Sequence, residues 1–352
     1  MEFGLSEEQA FLQSTVNRFL TDQAPLSSVR DFASGATGDA AIWQGLTELG
    51  IPGLMVPEAL GGVGLGALDA AVIAECLGYH VSPGPFITSA TMAPIPLLAA
   101  GKEDILASIA AGEHRVGIAF GEAIGARNDA GVSVDDGKIT GKCIFVLDAD
   151  ADSYLIATPD RKIFLVDAGA VQRTPLTTVD KTRSTCELVF KGISAELISD
   201  TPEIYNRTLD MGRVMQSADT LGAAQYMLDQ SVAYAKERKQ FNRVIGSFQA
   251  VKHMCADMAS DLEPCRSMIW YAGHAMDDVP EEARLVACHT KAHLSEVGKA
   301  VSKTATEVHG GMGFTDLVGL HYWFKRIGAN RQLLGSPELV RNEAAQVQGL
   351  IA

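Results

Sequence analysis

The sequence predicts a mainly helical protein with a β domain inserted between two helical regions. Two observations carry this. Apolar residues step by three and four over residues 5–112 and again from about residue 203. Between these regions, residues 115–198 hold short β-type runs separated by turn residues. A chain of 352 residues also has room for two or three packed units of ~100–200 residues each. The expected partition is a helical N-terminal domain over 1–113, a middle β-barrel or sandwich over 114–200, and a C-terminal helical bundle over 201–352.

The elements follow in order. Ser6 is an N-cap, Glu7 and Glu8 are acidic residues in a first turn, and Phe11, Leu12, Val16, Phe19 and Leu20 recur at helical spacing. Gly50-Ile51-Pro52-Gly53 and Leu60-Gly61-Gly62-Val63-Gly64 read as loops. Ala67 to Gly78 reads as a short helix stopped by its glycine, and Ser82-Pro83-Gly84-Pro85 as a break. The β-type runs are Val116–Phe120, Val132–Val134, Ile139–Val146, Tyr154–Ala157, Ile163–Val166 and Cys186–Phe190. Asp135-Asp136-Gly137-Lys138 sits where a hairpin turn belongs. Beyond residue 203, Met254, Met258, Leu262, Cys265 and Ile269 mark one long helix, and Leu294, Val297, Val301, Ala305 and Val308 another.

Composition excludes several classes. Apolar residues are 47% and charged residues 20%, the balance of a folded chain. The net charge of −14 repels polyanions, so nucleic acid is not an expected partner, and neither is a membrane surface. No apolar run approaches the ~18–20 residues that span a bilayer. Glu2, Glu7 and Glu8 without a basic segment leave no secretory signal visible. The six cysteines (Cys76, Cys143, Cys186, Cys255, Cys265, Cys288) form no CxxC pair. That argues against zinc and against a disulfide framework, and leads us to expect a reducing, cytoplasmic setting.

Two clusters could carry chemistry. Lys236-Glu237-Arg238-Lys239-Gln240-Phe241-Asn242-Arg243 is ordinarily a solvated charge run. However, Arg238 and Phe241, three apart at a helix end, could hold a diphosphate and cover a flat ring. The second cluster is Glu307-Val308-His309-Gly310-Gly311-Met312-Gly313-Phe314. Glycines so close together make sense in a plain turn or where backbone must approach a ligand. The ending of a P-loop is absent, and no strand precedes the glycines as the dinucleotide fingerprint requires.

These residues carry a resemblance. Arg238 to Met258, with its Arg-Lys-Gln-Phe opening, and Val308-His309-Gly310-Gly311-Met312-Gly313-Phe314 are similar to signatures of the flavin-dependent acyl-CoA dehydrogenase family. Leu49 to Gly64 and Glu75-Cys76-Leu77-Gly78 resemble its first-domain motifs, so the likeness runs nearly end to end. The resemblance implies a C-terminal four-helix bundle, FAD, an acyl-CoA thioester substrate, a dimer or tetramer, and an electron-transfer flavoprotein as acceptor. It places Arg238, Gln240 and Phe241 on the FAD of a neighbouring subunit, with Gly310 and Gly311 letting backbone close on the adenosine. Glu307 stands where the family usually has Gln. Asp210 and Arg213 match positions lining the acyl-CoA pocket, although an ordinary helix-face pair would read the same.

The departures are as informative. In the family, a carboxylate removes the α-proton of the thioester while the β-hydride passes to the flavin. The two positions that supply this base hold Leu334 and Gly212 here. Glu338 lies about one helical turn beyond Leu334, out of register. Asp210 and Asp219 are the remaining carboxylates, neither at an established base position, so the catalytic base is unassigned. Family segments that contact the flavin ring with hydroxyls correspond to Ala119–Ala126 and Cys143–Ala149, and here those hydroxyls are gone. The expected role is the non-catalytic partner of a two-chain α2β2 acyl-CoA dehydrogenase, acting on a fatty-acyl or steroid side-chain CoA ester. The alternatives are a self-sufficient homo-oligomer with a non-standard base and a non-redox acyl-CoA-binding or scaffold subunit.

Overall fold

The computed structural model describes residues 4–126 and 129–351. Its N-terminal part holds α1 (Glu7–Gln23), α2 (Leu26–Ser34), α3 (Ala40–Glu48), α4 (Ala67–Tyr79), α5 (Pro94–Ala99) and α6 (Glu103–Ala110). A buried π-helical segment, Phe86–Met92, lies between α4 and α5. Ser6 caps α1 as expected, and its hydroxyl accepts from the N–H of Gln9 while the Gln9 side chain returns to Ser6 N–H. Gly78 does not stop α4. A Cβ on Gly78 would stand 2.0 Å from the Asp219 carbonyl oxygen, and one on Gly222 would stand 1.9 Å from that of Glu75. The glycines are there so that two helix backbones can touch.

Eight strands form one mixed sheet: β1 (Val116–Ala119), β2 (Gly131–Asp135), β3 (Lys138–Leu147), β4 (Ser153–Ala157), β5 (Ile163–Asp167), β6 (Gln172–Pro175), β7 (Thr185–Ser194) and β8 (Glu196–Ser199). The order is β6-β7-β3-β1-β4-β5-β8, with β2 paired to β3. Only β1 and β4 run parallel. The predicted hairpin joins β2 to β3, with Asp136 and Gly137 both at positive φ. The sequence reading omits β6 and β8. Both are terminal in the sheet order, and β6 (Gln-Arg-Thr-Pro) is exposed throughout, so it carries no alternation to read.

The C-terminal part is built on α7 (Pro202–Glu237), a two-stranded hairpin of β9 (Lys239–Gln240) and β10 (Arg243–Val244), then α8 (Gln249–Asp278), α9 (Pro280–His309), α10 (His321–Gln332) and α11 (Pro337–Val347). α7 is buried along most of its length, because it packs on α4, α8, α9 and α10. One apolar cluster joins the N-terminal helices to this bundle, and a second fills the sheet. Among the described residues, no helix is long and apolar enough to cross a membrane.

Candidate functional site

Two clefts meet where the sheet faces α10 and α11. One, of about 770 Å³, is lined by apolar Phe120, Ile144, Phe145, Leu333 and Leu334. The other, of about 840 Å³, is the more polar of the two and includes Arg161, Tyr205, Asp210, Arg284 and Glu343 in its lining. Leu339 and Asn342 border both.

Gly212 and Leu334, far apart in sequence, adjoin behind the first cleft. A Cβ on Gly212 would stand 2.5 Å from Leu334 Cδ1 and 2.5 Å from Met92 Sδ. Leu334 is buried at 6% exposure and has φ +57°. Its carbonyl accepts from Arg213 Nε at 2.9 Å, which pins this strained turn between α10 and α11. The atoms nearest to a Cβ on Gly212 are thus hydrocarbon and a thioether, neither of which accepts a proton.

Asp210 and Arg213 lie in a four-member ion network. Arg213 donates to Glu343 through two nitrogens at 2.7 and 2.9 Å. Arg284 bridges Asp210 and Glu343, at 2.6 Å to each. Asp210 and Arg213 themselves are 3.4 Å apart. Burial raises the Asp210 carboxyl against the attraction of Arg284 and Arg213. Burial also opposes the charge on Glu343, but the hydrogen bonds from Arg213 and the nearby arginine charges outweigh it and hold that carboxyl below the usual range. Asp210 reaches the polar cleft, whereas the fully buried Arg213 stays behind it.

A second buried network was not legible in the sequence. Asp219 Oδ2 pairs with Arg183 at 2.9 Å and Arg326 at 3.1 Å, and Oδ1 accepts from Asn330 at 2.6 Å. Arg326 also donates to the Val81 and Ser82 carbonyls. Lys291 donates to Gln216 at 2.7 Å and to the Asn330 carbonyl, and burial lowers its pKa well below that of an ordinary lysine. Asp219, Lys291, Arg326 and Asn330 sit at core positions of helices, where polar types were the one available signal, and Arg183 comes from the bend before β7.

The two sequence clusters converge on one exposed surface. α7 ends at Glu237 with Arg238 as its C-cap, at the helix end as expected, while Gln240 and Phe241 follow in the hairpin β9–β10. Phe241 forms the turn at φ +51° and is 88% exposed. α9 ends at His309, whose ring stacks on that of Tyr234 at 4.6 Å, one turn before Arg238. Gly310 has φ +58° and ψ −137°, a region open to glycine. A Cβ on Gly310 or Gly311 would meet no atom within 4 Å. Glu307 is exposed on the same end of α9.

Residues 6–113 match the family model "Acyl-CoA dehydrogenase, N-terminal domain" and residues 203–348 match "Acyl-CoA dehydrogenase, C-terminal domain". This chain belongs to the acyl-CoA dehydrogenase family. Acyl-CoA dehydrogenase IpdE2 of Mycolicibacterium smegmatis is 30% identical over 346 residues, 97% of this chain and 100% of that one. A chain of a Tcur3481-Tcur3483 steroid ACAD variant superposes with TM-score 0.88 at 27% identity, covering 98% of each chain. A chain of the ChsE4-ChsE5 complex from Mycobacterium tuberculosis shares the fold, with TM-score 0.90 at 23% identity over 100% of both chains.

Acyl-CoA dehydrogenases are FAD-dependent oxidoreductases acting on CH–CH bonds, so the fit of FAD to these residues can be tested. The wall of the apolar cleft offers a ring edge few partners. The Ile144 N–H already donates to Glu122 at 2.7 Å, and the Thr178 hydroxyl donates to the Asp180 carbonyl at 2.8 Å. Thr185 Oγ1 is buried there without a hydrogen-bond partner. On the sheet side, among the described residues, Thr185 is the hydroxyl left without a partner, a poor match to a flavin ring edge that needs several when buried; the further polar side chains, Gln332, Ser336 and Asn342, are on or next to α10 and α11. The exposed arginine, aromatic residue and glycines around Arg238 and Gly310 suit a diphosphate and nucleoside better.

Proposed function

We propose that this chain is the base-less subunit of a two-chain FAD-dependent acyl-CoA dehydrogenase and supplies FAD contacts to a catalytic partner. The observation that carries this is the contact between Gly212, Leu334 and Met92, which fills the place of a proton acceptor with apolar groups. A bound FAD would supply the hydride acceptor, and a carboxylate would have to take the α-proton of the thioester. Neither acceptor position here can take the proton. Arg238 would face the cofactor's diphosphate, Phe241 and Gln240 would pack on the cofactor, and Gly310 and Gly311 would admit its adenosine end. The uncrowded space beside both glycines supports this; the backbone of Gly310 needs glycine for its φ of +58°, whereas no atom among the described residues crowds Gly311. Glu307 must turn from the diphosphate or accept from a ribose hydroxyl.

Asp210 would meet the acyl-CoA at the polar cleft, with Arg213 behind it holding Asp210 and Glu343. The steroid ACAD and the two-component complex among the similar structures support a steroid side-chain CoA ester and a heterotetramer. The electron-transferring flavoprotein of Acidaminococcus fermentans among them, and the Etf complex of a caffeyl-CoA reductase subunit, support such a flavoprotein as acceptor. The test is to purify the chain alone and with a second dehydrogenase chain, then count flavin. One FAD per two chains, with activity in the mixed assembly alone, is expected. Stoichiometric FAD and acyl-CoA oxidation by the lone chain would overturn the proposal.

A self-sufficient homo-oligomer has one observation in its favour: Asp210 reaches the polar cleft with a raised carboxyl. Asp219 is a weaker base, since both its oxygens are held by Arg183, Arg326 and Asn330. Asp210→Asn and Asp219→Asn each leave turnover of the two-chain assembly measurable under our reading, whereas one of them abolishes it under the other.

A further inference from the structure

We infer that Arg326 is a positioning residue: it clamps the loop between β6 and β7 (residues 176–184) to the helical bundle and so keeps the apolar cleft open on that side. The clamp is the same whether the chain works alone or beside a partner.

The loop is a wall of the cleft. Thr178, Val179, Asp180 and Arg183 line it on the sheet side, and Leu333, Leu334 and Leu339 line it on the bundle side. Val179 is 68% exposed. An apolar side chain beside an apolar cleft gains free energy by moving into it. The loop's own bonds do little against this: the Leu176 N–H donates to the Thr185 carbonyl, and the Thr178 hydroxyl turns back on the Asp180 carbonyl. The restraint comes from behind the loop. Arg326 of α10 is 1% exposed. Its Nε donates to the Thr182 hydroxyl at 3.0 Å and lies 3.2 Å from Asp180 Oδ2, and its Nη2 donates to the Thr182 carbonyl at 3.1 Å.

The same guanidinium reaches Asp219 of α7 at 3.1 Å and the Val81 and Ser82 carbonyls, just after α4, at 3.1 and 3.0 Å. One side chain therefore joins the N-terminal helices, the sheet and the bundle. Arg183 adds a second strut from the loop, pairing with Asp219 at 2.9 Å and donating to Asn330 Oδ1. Two carboxylates, Asp180 and Asp219, thus face two guanidiniums in a buried setting. Only the planar five-donor fork of arginine can serve partners in so many directions, and an ammonium at 326 could not. The carboxylate at 219 is accounted for as the counter-charge of this clamp, without any part in proton transfer. A cavity of about 40 Å³ beside Arg183 and Arg326, bordered by Ser82, Thr88 and Asp148, leaves room for water to replace lost donors in a variant.

The test is the distance between spin labels at Thr177→Cys, in the loop, and Asn342→Cys, on the bundle side of the cleft. It uses the full-length chain carrying Cys255→Ser, since the other five native cysteines are buried. The parent is expected to show one narrow distance. Arg326→Lys keeps the charge and loses the fork, and should add a second, shorter distance as Val179 moves into the cleft. Thr182→Val removes the hydroxyl that the clamp grips and should do the same, which keeps the test open if Arg326→Lys fails to fold. Val16→Ala opens a cavity in the core at α1, outside the clamp. It should lower the thermal midpoint and leave the distance as in the parent. An unshifted or longer distance in the clamp variants, or the same shortening in Val16→Ala, would overturn the assignment and leave the subunit reading intact.

Discussion

Gly222 of α7 lies so close to Glu75 of α4 that a Cβ on the glycine would stand 1.9 Å from the Glu75 carbonyl oxygen. This contact sets how near the N-terminal helices come to the bundle, and therefore where the π-helical segment brings Met92 against Gly212. Backbone is the obstacle, so no side-chain rotation can relieve an added methyl. Gly222→Ala should lower stability by ~1–3 kcal/mol or more, the range for overpacking. Gly328→Ala, on α10 with nothing within 4 Å of the new methyl, should gain ~0.5–1 kcal/mol from reduced backbone entropy. Paired urea titrations of the two variants check this, and similar losses in both would refute it.

Glu343 anchors two buried arginines. Glu343→Gln removes the partner of Arg213 and Arg284 and should destabilise by ~3–5 kcal/mol. Because the native carboxyl lies below its ordinary value, the contribution is present above the unfolded pKa of ~4.3 and is lost as pH falls through the lower native value. The stability gap between wild type and Glu343→Gln should therefore be constant near neutrality and shrink below about pH 4. Tm measured against pH reads it directly.

Lys291 gives the same sign for a different reason. Its native pKa is depressed by burial, so the unfolded chain binds the extra proton between that value and the unfolded value of ~10.4. Stability should rise with pH in this window, by up to ~1.4 kcal/mol per pH unit. Lys291→Met should lower the overall stability, since it leaves the Gln216 and Asn330 oxygens without a donor, and should flatten the rise. Denaturant midpoints at several alkaline pH values distinguish the slope from the offset.

The arm at Arg238 should matter to flavin and hardly at all to folding. Phe241 is almost fully exposed, so Phe241→Ala should change stability by no more than ~0.5 kcal/mol. In the two-chain assembly, Arg238→Ala removes a charge-assisted contact of ~1.5–3 kcal/mol, which predicts a tenfold or greater weakening of FAD retention. Flavin fluorescence released on dilution measures it. Unchanged retention would show that the hairpin serves another partner.

Long helices such as α8 and α9, and the Asp136-Gly137 hairpin, are legible because each depends on nearby residues: an apolar repeat, a cap, a turn that accepts positive φ. The signatures around Arg238 and Gly310 are legible for the same reason, as is the lack of a carboxylate at positions 212 and 334. Tertiary structure alone decided that Gly78 is a helix contact and not a helix end, that β6 and β8 close the edges of the sheet, and that Phe241 forms the turn of a hairpin. It also decided that Gly212 and Leu334 share one apolar space, that Arg213 is locked by Glu343 and the Leu334 carbonyl, and that Phe145 bulges over a cleft. The physical reason is separation along the chain: a residue's own neighbours determine its local conformation, while the partner that meets its side chain comes from a segment tens to hundreds of residues away.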